Sequence, residues 1–312
     1  MRDILDSNLL RCFLYILDHR KLTTAAEKLC ITQPALSKNL QRLEHELGVQ
    51  LFRRTSSGMV PTTYGVILGR RARQIFLESL AARSEVQSMR EGGYGSIVIG
   101  TGPMWSVHAF PSLVAEFIRD QPKTHIKMIS GVLDTLLPQL LKGEIDIAMT
   151  SLDFPDHPDL IKEHIVDTQH AILANSRHPL ALPKKNAPRD LLDYPFAGLA
   201  DDYVGISHFE QFFASHGLQF PGLTVESNSL ATLFSLMTSG DFLVSLTTPV
   251  AFYCKQMGIA PIDLSGSLWQ FSAGAIYRRD SKRSALAASI LQAIRTRLNV
   301  FGADETKIPQ ES

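Results

Sequence analysis

From Thr23 to Arg54 the chain reads T-T-A-A-E-K-L-C-I-T-Q-P-A-L-S-K-N-L-Q-R-L-E-H-E-L-G-V-Q-L-F-R-R. Two short helices fit this stretch, separated by a tight turn. The first is expected from about Thr24 to Leu29. Thr24 and Glu27 have the spacing of a capping box, and Ala25 and Ala26 are small enough for another helix to approach closely. The second is expected to start at Thr32, a good N-cap. Pro34 is tolerated in its first turn, and Gly48 is the expected C′ residue at its end.

The second helix has two faces. Leu36, Leu40, Leu43 and Leu47 recur at helical spacing and form an apolar stripe that must face a core. Gln33, Ser37, Lys38 and Gln41 form a polar row near the helix N-terminus, which suits base edges and phosphates in a DNA major groove. An ordinary solvated helix face looks the same, so the row by itself leaves both possibilities open.

The longer string narrows them. Ala25-Ala26, Leu29, Gln33-Pro34-Ala35-Leu36-Ser37, Leu40, Leu43-Glu44, Leu47-Gly48, Leu51-Phe52 and Arg54, in this register and without a gap, closely resemble the winged helix-turn-helix of the bacterial LysR-type transcriptional regulators. Three departures touch readout. Lys38 stands where members more often carry Arg, so a point charge replaces a planar fork. Lys21 occupies a slot that is often Ser, and Pro61 one that is usually Leu.

The surrounding segments fit that frame. Residues 7–18 predict a first helix with Leu9, Phe13, Ile16 and Leu17 on its apolar side. Val49–Phe52 alternates like a short strand. Arg53, Arg54, Ser56, Ser57 and Gly58 then read as a polar turn before Met59 and Val60, giving a hairpin wing with two arginines for a minor groove or a phosphate. Thr62 is a good N-cap for a long helix to about Arg90. Its apolar residues, Tyr64, Ile67, Leu68, Ile75, Leu80 and Val86, need a partner. The resemblance implies the linker helix of a second subunit, hence a homodimer or homotetramer. Arg70, Arg71 and Arg73 are either a solvated face or further phosphate contacts.

Composition bounds the rest. The 312 residues exceed one typical domain, and 45% hydrophobic content supports a sizeable core. The formal net charge is zero, but residues 1–91 carry 14 Lys+Arg against 9 Asp+Glu, and residues 92–312 carry 17 against 22. The basic excess thus sits with the DNA-binding segment. Cys12, Cys30 and Cys254 have neither a disulfide pattern nor metal-ligand spacing, and each is expected to be a small buried apolar residue. No apolar leader segment and no membrane-spanning run is visible, so a cytoplasmic protein without membrane association is expected.

Glu91-Gly92-Gly93 is the expected hinge, and beyond it strands alternate with helices, the pattern of a mostly parallel α/β sheet. A first lobe is expected to hold strands Ser96–Gly100, Thr124–Ser130 and Ile145–Met149, with helices to Asp120 and from about Leu133 to Lys142. Pro138 argues that this second helix starts later. From about Ile165 the chain is expected to cross into a second lobe, with strands at His170–Ala174, Phe196–Leu199, Leu223–Glu226, Phe242–Leu246 and Ala260–Leu264. Helices are expected there at Ser207–His216, Ser229–Thr238 and Thr248–Met257. Phe271–Tyr277 reads as a returning strand and Ser281–Leu298 as a closing helix.

This order, with G-E-I-D-I-A at 143–148 and R-H-P-L-A at 177–181, is similar to the family's effector-binding domain, a two-lobe α/β fold like the periplasmic binding proteins. The implied layout is a winged helix-turn-helix over residues 1–62, a dimerising linker helix and hinge over 63–92, and an effector domain over 93–302. Lobe 1 covers about 93–164 and 269–302, lobe 2 about 165–268, and 303–312 form a flexible tail. One departure is S-G-D-F-L-V-S-L-T-T-P at 239–249, where members often carry a Gly-x-Gly turn.

The resemblance implies double-stranded DNA, a small-molecule effector, a second copy of the chain and RNA polymerase as partners. For groove readout it points to Gln33, Pro34, Ser37, Lys38 and Gln41, and for phosphate or wing contacts to Thr32, Arg53 and Arg54. For the effector it points to Thr101, Gly102, Trp105 and Ser106 after the first strand, Ser130 after the second and Thr150 after the third. Val204, Gly205, Thr247 and Thr248 join them from the second lobe. Hydroxyls and helix N-termini there suit a small polar or anionic effector. Trp105 is either a stacking platform or an apolar plug between the lobes.

Other functions fit less well. An enzyme would want a G-x-S-x-G, an H-E-x-x-H, a P-loop or a dinucleotide fingerprint, and none is present. His45, His125, His164 and His208 belong to no recognisable cluster, so no catalytic residue, metal site or cofactor is expected. A transporter's solute-binding protein would not carry the N-terminal DNA-binding string.

Overall fold

The computed structural model describes residues 7–91, 95–266, 268–279 and 285–304. The chain forms two compact units, Met1–Gln87 and Ser88–Ser312. Gly92 and Gly93 of the expected hinge, Ser281 at the expected start of the last helix and residues 305–312 of the expected tail lie outside the described residues.

The N-terminal unit contains α1 (Ser7–His19), α2 (Leu22–Lys28), α3 (Gln33–Leu47), β1 (Phe52–Thr55), β2 (Gly58–Pro61) and the start of α4 (Thr63–Glu91). Its core joins Leu9, Phe13 and Ile16 of α1, Ala25 and Ala26 of α2, and the stripe Leu36, Leu40 and Leu43 of α3. Leu47, at the end of the stripe, is only partly buried. Phe13 is fully buried, with its ring 5.3 Å from that of Phe52. Truncating such a side chain to Ala costs about 3–5 kcal/mol.

The caps of α3 follow the sequence. Thr32 accepts the Ala35 N–H at 3.4 Å, and Gly48 takes the left-handed conformation at φ 69°. Helix α2 does not follow it. It begins at Leu22, with Lys21 as an N-cap that makes no side-chain bond, so Thr24 and Glu27 form no capping box. Leu22 belongs to the core, and Arg20, at φ 60°, already turns the chain four residues before Thr24. Packing of one more apolar residue outweighs the local cap.

The wing also differs. Arg53 and Arg54 lie within β1, paired to Val60 and Met59, and only Ser56 and Ser57 form the turn. The strand starts at Phe52 because Glu44 of α3 accepts the N–H groups of Leu51 and Phe52 at 2.7 and 3.3 Å. The hairpin is pinned on its other side too, since Met59 donates its N–H to Arg20 O at 2.7 Å. Gly58 fits there at φ 121°, and a Cβ would sit 2.4 Å from Arg20 O. Thr62 caps α4 by accepting the Gly65 N–H at 3.2 Å. Arg73 forms a two-pronged ion pair with Asp18 of α1, so it is not a spare phosphate contact.

Two of the three cysteines are buried, Cys12 and Cys254, but Cys30 is exposed. It occupies the left-handed turn between α2 and α3 at φ 55°, a place set by the turn and not by packing.

The second unit contains β3 (Ser96–Thr101), a π-turn over Trp105–Ala109 leading into α5 (Phe110–Asp120), β4 (His125–Ser130), α6 (Leu133–Lys142) and β5 (Ile147–Ser151). Then come β6 (Leu160–Asn175), β7 (Phe196–Leu199), α7 (Tyr203–Ser215), β8 (Val225–Ser227), α8 (Leu230–Ser239), β9 (Leu243–Thr247), α9 (Thr248–Cys254), β10 (Ile259–Pro261), β11 (Gln270–Arg278) and α10 (Ala285–Asp304). The strands pair in the order β4-β3-β5-β11-β6-β9-β7-β8, with β10 also on β6. Pairing is parallel within each lobe, β4-β3-β5 in the first and β8-β7-β9 in the second. The two connecting strands β6 and β11 run antiparallel to each other.

Two expectations need correction, for α6 and α10. Helix α6 starts at Leu133 despite Pro138, because Leu133, Leu136 and Leu140 all bury on one face and the Thr135 hydroxyl accepts the Val132 N–H at 3.1 Å. The expected crossing near Ile165 is made within a single strand: β6 has 16 residues and pairs with β11 up to Gln169 and with β9 from His170. At its polar centre Glu163 is held by Tyr277 at 3.0 Å and by Arg295 at 2.5 and 2.9 Å, and Asp167 by Ser272 at 2.6 Å. Helix α10 runs past Leu298 to Asp304, where no proline interrupts residues 299–304. No helix among the described residues is long and apolar enough to cross a membrane.

Candidate functional sites

In the N-terminal unit, α3 turns its leucine stripe to the core and leaves Thr32, Gln33, Pro34, Lys38 and Gln41 exposed. Ser37 is half-buried, and Arg54 Nη2 reaches its hydroxyl at 3.5 Å. The wing strand therefore stands beside the first turns of α3, with Arg53 and Arg54 both exposed. The result is a ridge of amide, hydroxyl and cationic groups on the N-terminal half of a helix. Such a ridge can meet base edges while the flanking arginines meet phosphates. Glu44 was not foreseen as a functional residue. Its carboxylate fixes where the wing begins relative to α3.

In the second unit the expected effector residues gather at the carboxyl ends of strands from both lobes. Gly102, Trp105, Thr150, Val204, Gly205 and Thr247 line one cleft of about 700 Å³ including its open mouth. Thr101, Ser106 and Ser130 line an adjoining cleft of about 620 Å³. Pro103, Val132 and Leu199 border both. Thr248 lines neither, and its hydroxyl donates to Gln169 O at 2.9 Å. Gly102 is placed by its N–H to Met149 O at 2.7 Å, and its carbonyl accepts the N–H groups of Trp105 and Ser106. Trp105 is only 3% exposed and packs into the lobe-1 core, yet its Nε1 has no partner. Thr101 Oγ1 and Thr247 Oγ1 are likewise buried and unpaired.

The cleft also holds groups that no motif announced. His208 is not isolated, as its sequence context suggested. Its ring stacks on one side of Trp269 at 5.0 Å, and His170 stacks on Trp269 at 4.4 Å. His208 Nε2 lies 3.6 Å from Asp153, and His170 Nδ1 lies 2.8 Å from Ser245 Oγ. Burial, with His208 nearby, pushes His170 down to about 3, so its ring is neutral at ordinary pH. These residues come from β6, α7 and the segment before β11, separated by tens of positions, so only the fold brings them together.

Asp202 is the N-cap of α7 and accepts the Gly205 N–H at 3.1 Å. Burial raises its pKa, the Gly205 N–H pulls it back, and the nearby Asp134 raises it further. Asp201 beside it is held at φ 61°. Asp134, on α6 of the first lobe, accepts the Val204 N–H at the same helix N-terminus at 3.0 Å. Among the described residues no group of three His, Cys, Asp or Glu side chains gathers as a metal ion would need.

Residues 7–66 match the model of the bacterial regulatory helix-turn-helix protein, lysR family, and residues 90–299 match the LysR substrate binding domain. Among similar proteins, the HTH-type transcriptional regulator GbpR of Azospirillum brasilense is 27% identical over 97% of this chain and 90% of its own length. The regulator PcaQ of Agrobacterium fabrum is 25% identical over 92% and 93%. In fold, the chain resembles full-length CbnR in complex with its target DNA, with a TM-score of 0.53 and 18% identity over 94% of this chain and 99% of that one. It also resembles a full-length OxyR variant from Pseudomonas aeruginosa, with a TM-score of 0.57 and 20% identity over 93% and 94%.

Proposed function

The chain belongs to the LysR family of ligand-responsive transcriptional regulators, and on that premise we propose how it reads DNA and what it senses. Gln33, Pro34, Ser37, Lys38 and Gln41 enter a major groove, and Thr32, Arg53 and Arg54 grip the flanking backbone. The observation that carries this is the polar ridge of α3, backed by the buried Leu36, Leu40 and Leu43 and flanked by an anchored two-arginine wing.

Helix α4 carries Tyr64, Ile67 and Val86 at 57%, 50% and 68% exposure. Apolar side chains in that number on one helix are covered by the same helix of a second copy. Two recognition helices then address half-sites about one helical turn apart. A small molecule in the inter-lobe cleft shifts the balance between two arrangements of the oligomer, as its different affinity for them requires. The protein acts by binding and not by catalysis, in keeping with relatives that are named as transcriptional regulators.

Footprinting of the DNA upstream of its own gene, with and without a panel of small metabolites, tests this. An interrupted inverted repeat is protected, and one metabolite alters the protected region. Protection that is non-specific and lost with salt, or a footprint that no metabolite changes, would refute the DNA and effector parts respectively.

A further inference from the structure

The chemical class of the effector is legible in what lines its cleft and what does not; the inference rests on the cleft being the effector site. Anionic ligands are held in α/β clefts by Lys or Arg side chains or by unpaired N–H groups at a helix N-terminus. Neither cleft here is lined by a Lys or an Arg among the described residues. The N-termini of α6, α7 and α8 border the clefts, and each is met by side chains of the protein itself: Thr135 takes the Val132 N–H at 3.1 Å, Ser229 takes the Thr232 N–H at 3.3 Å, and α7 is held by carboxylates. Asp134 takes the Val204 N–H at 3.0 Å and Asp202 takes the Gly205 N–H at 3.1 Å. The protein's own carboxylates stand where a ligand anion would bind.

The carboxylates bring negative charge with them. Asp153 and Asp202 line the cleft that Trp105 borders and Asp201 the adjoining one. Asp153 lies 3.6 Å from His208, and Asp202, which accepts the Gly205 N–H and also has His208 nearby, has Asp134 close by. An incoming anion would meet like charge in a partly desolvated site, and an incoming cation would relieve it. At the same time Trp105 Nε1 and Thr247 Oγ1, in residues 3% and 5% exposed that line this cleft, have no hydrogen-bond partner. A buried indole N–H can only donate, so it asks for an acceptor on whatever fills the space.

We propose that the cleft takes a small amine-bearing polar molecule, whose ammonium group faces Asp202 and Asp153 and whose uncharged acceptor meets Trp105 Nε1 and Thr247 Oγ1. The carbon frame is either a hydroxylated or an aromatic ring, since hydroxyl groups and aromatic rings both line the site.

Titration calorimetry of the full-length protein with two matched trios decides charge and frame together. One trio is glucosamine, glucose and glucuronate, and the other is benzylamine, benzyl alcohol and benzoate. In at least one trio the amine binds about tenfold or more tighter than the carboxylate, the minimum that like-charge repulsion implies. Asp202→Asn keeps the α7 cap through its amide oxygen and erases that preference. Trp105→Phe removes the donor, weakens all members of the trio alike and leaves the charge preference intact. Tighter binding of glucuronate or benzoate, affinity independent of charge, no saturable binding by either amine, or a preference that survives Asp202→Asn overturns the proposal. A carboxylate that binds and also shifts the DNA footprint would sink the charge assignment alone. Binders that never shift the footprint would sink the effector reading itself.

Discussion

Asp134 of the first lobe accepts the backbone N–H of Val204 in the second at 3.0 Å, so one side-chain bond ties α6 to the N-terminus of α7 across the cleft. The acceptor is charged and the donor sits at the positive end of a helix dipole, which strengthens the bond. Asp134→Ala removes the tie and leaves an orphan N–H. A loss of about 1–3 kcal/mol in unfolding free energy follows. Small-angle scattering of the variant is expected to show a more open effector domain, and an unchanged scattering profile and stability would deny the tie any role. Asp134→Asn retains an acceptor and recovers most of the loss.

Glu44 makes the equivalent connection in the DNA-binding unit. It sits on α3, but its carboxylate receives the N–H groups of Leu51 and Phe52 at the start of the wing. Glu44→Ala leaves both donors partly buried without a partner, at a cost of about 1–3 kcal/mol. The wing loses its register against α3, and operator affinity falls through Arg53 and Arg54 although no DNA-facing residue has changed. Glu44→Gln keeps an oxygen acceptor and is the milder variant. Fluorescence anisotropy with a labelled operator fragment measures the ranking, and equal binding by all three proteins would remove Glu44 from the DNA-binding apparatus.

These two carboxylates show what a sequence displays and what it hides. The α3 helix, its Thr32 and Gly48 caps and its leucine stripe were legible because each depends on neighbours within a few positions. The alternation of strands and helices was legible for the same reason, but the mostly parallel sheet it suggested is a mixed one, because β6 and β11 run antiparallel to their neighbours. The partners of Glu44, Asp134, His170 and His208 lie 7, 70, 75 and 55 positions away. No periodicity marks such pairs. The N-terminal half of β6 was not legible as strand, because Glu163 and Asp167 break the apolar run and their partners Arg295, Tyr277 and Ser272 lie far along the chain. Thr24 misled in the opposite sense: its capping spacing was real, but burial of Leu22 set the helix start elsewhere.

Lys38 is exposed on α3 and carries a flexible point charge. If it neutralises a phosphate, Lys38→Ala weakens binding to all sequences alike and reduces the slope of log affinity against log salt by about one. If it reads a base, discrimination between operator and unrelated DNA falls by about 1–3 kcal/mol and the slope hardly moves. Titrations at three salt concentrations on both DNAs separate the two roles. Wild-type affinity and slope in the variant would exclude both.

His170 sets a pH dependence whose direction follows from its surroundings. Folding lowers its pKa from 6.5 to about 3, first by burial and then through the nearby His208. Above about pH 6.5 the ring is neutral in both folded and unfolded chains, and its contribution to stability is fully present. As pH falls from 6.5 towards 3, the unfolded chain binds a proton that the folded chain refuses, and stability is lost by up to about 1.4 kcal/mol per pH unit. The ring is not wholly sealed from solvent, so the realised slope is smaller than this bound. His170→Gln keeps a polar group near Ser245 but cannot titrate. Between pH 7.5 and pH 5 the wild-type protein is therefore expected to lose up to about 2 kcal/mol more than the variant in urea unfolding followed through tryptophan fluorescence. Trp269, stacked on His170 at 4.4 Å, reports locally. Parallel losses in the two proteins would mean that His170 gains its proton as readily when folded as when unfolded, and that the stack with Trp269 does not shield it.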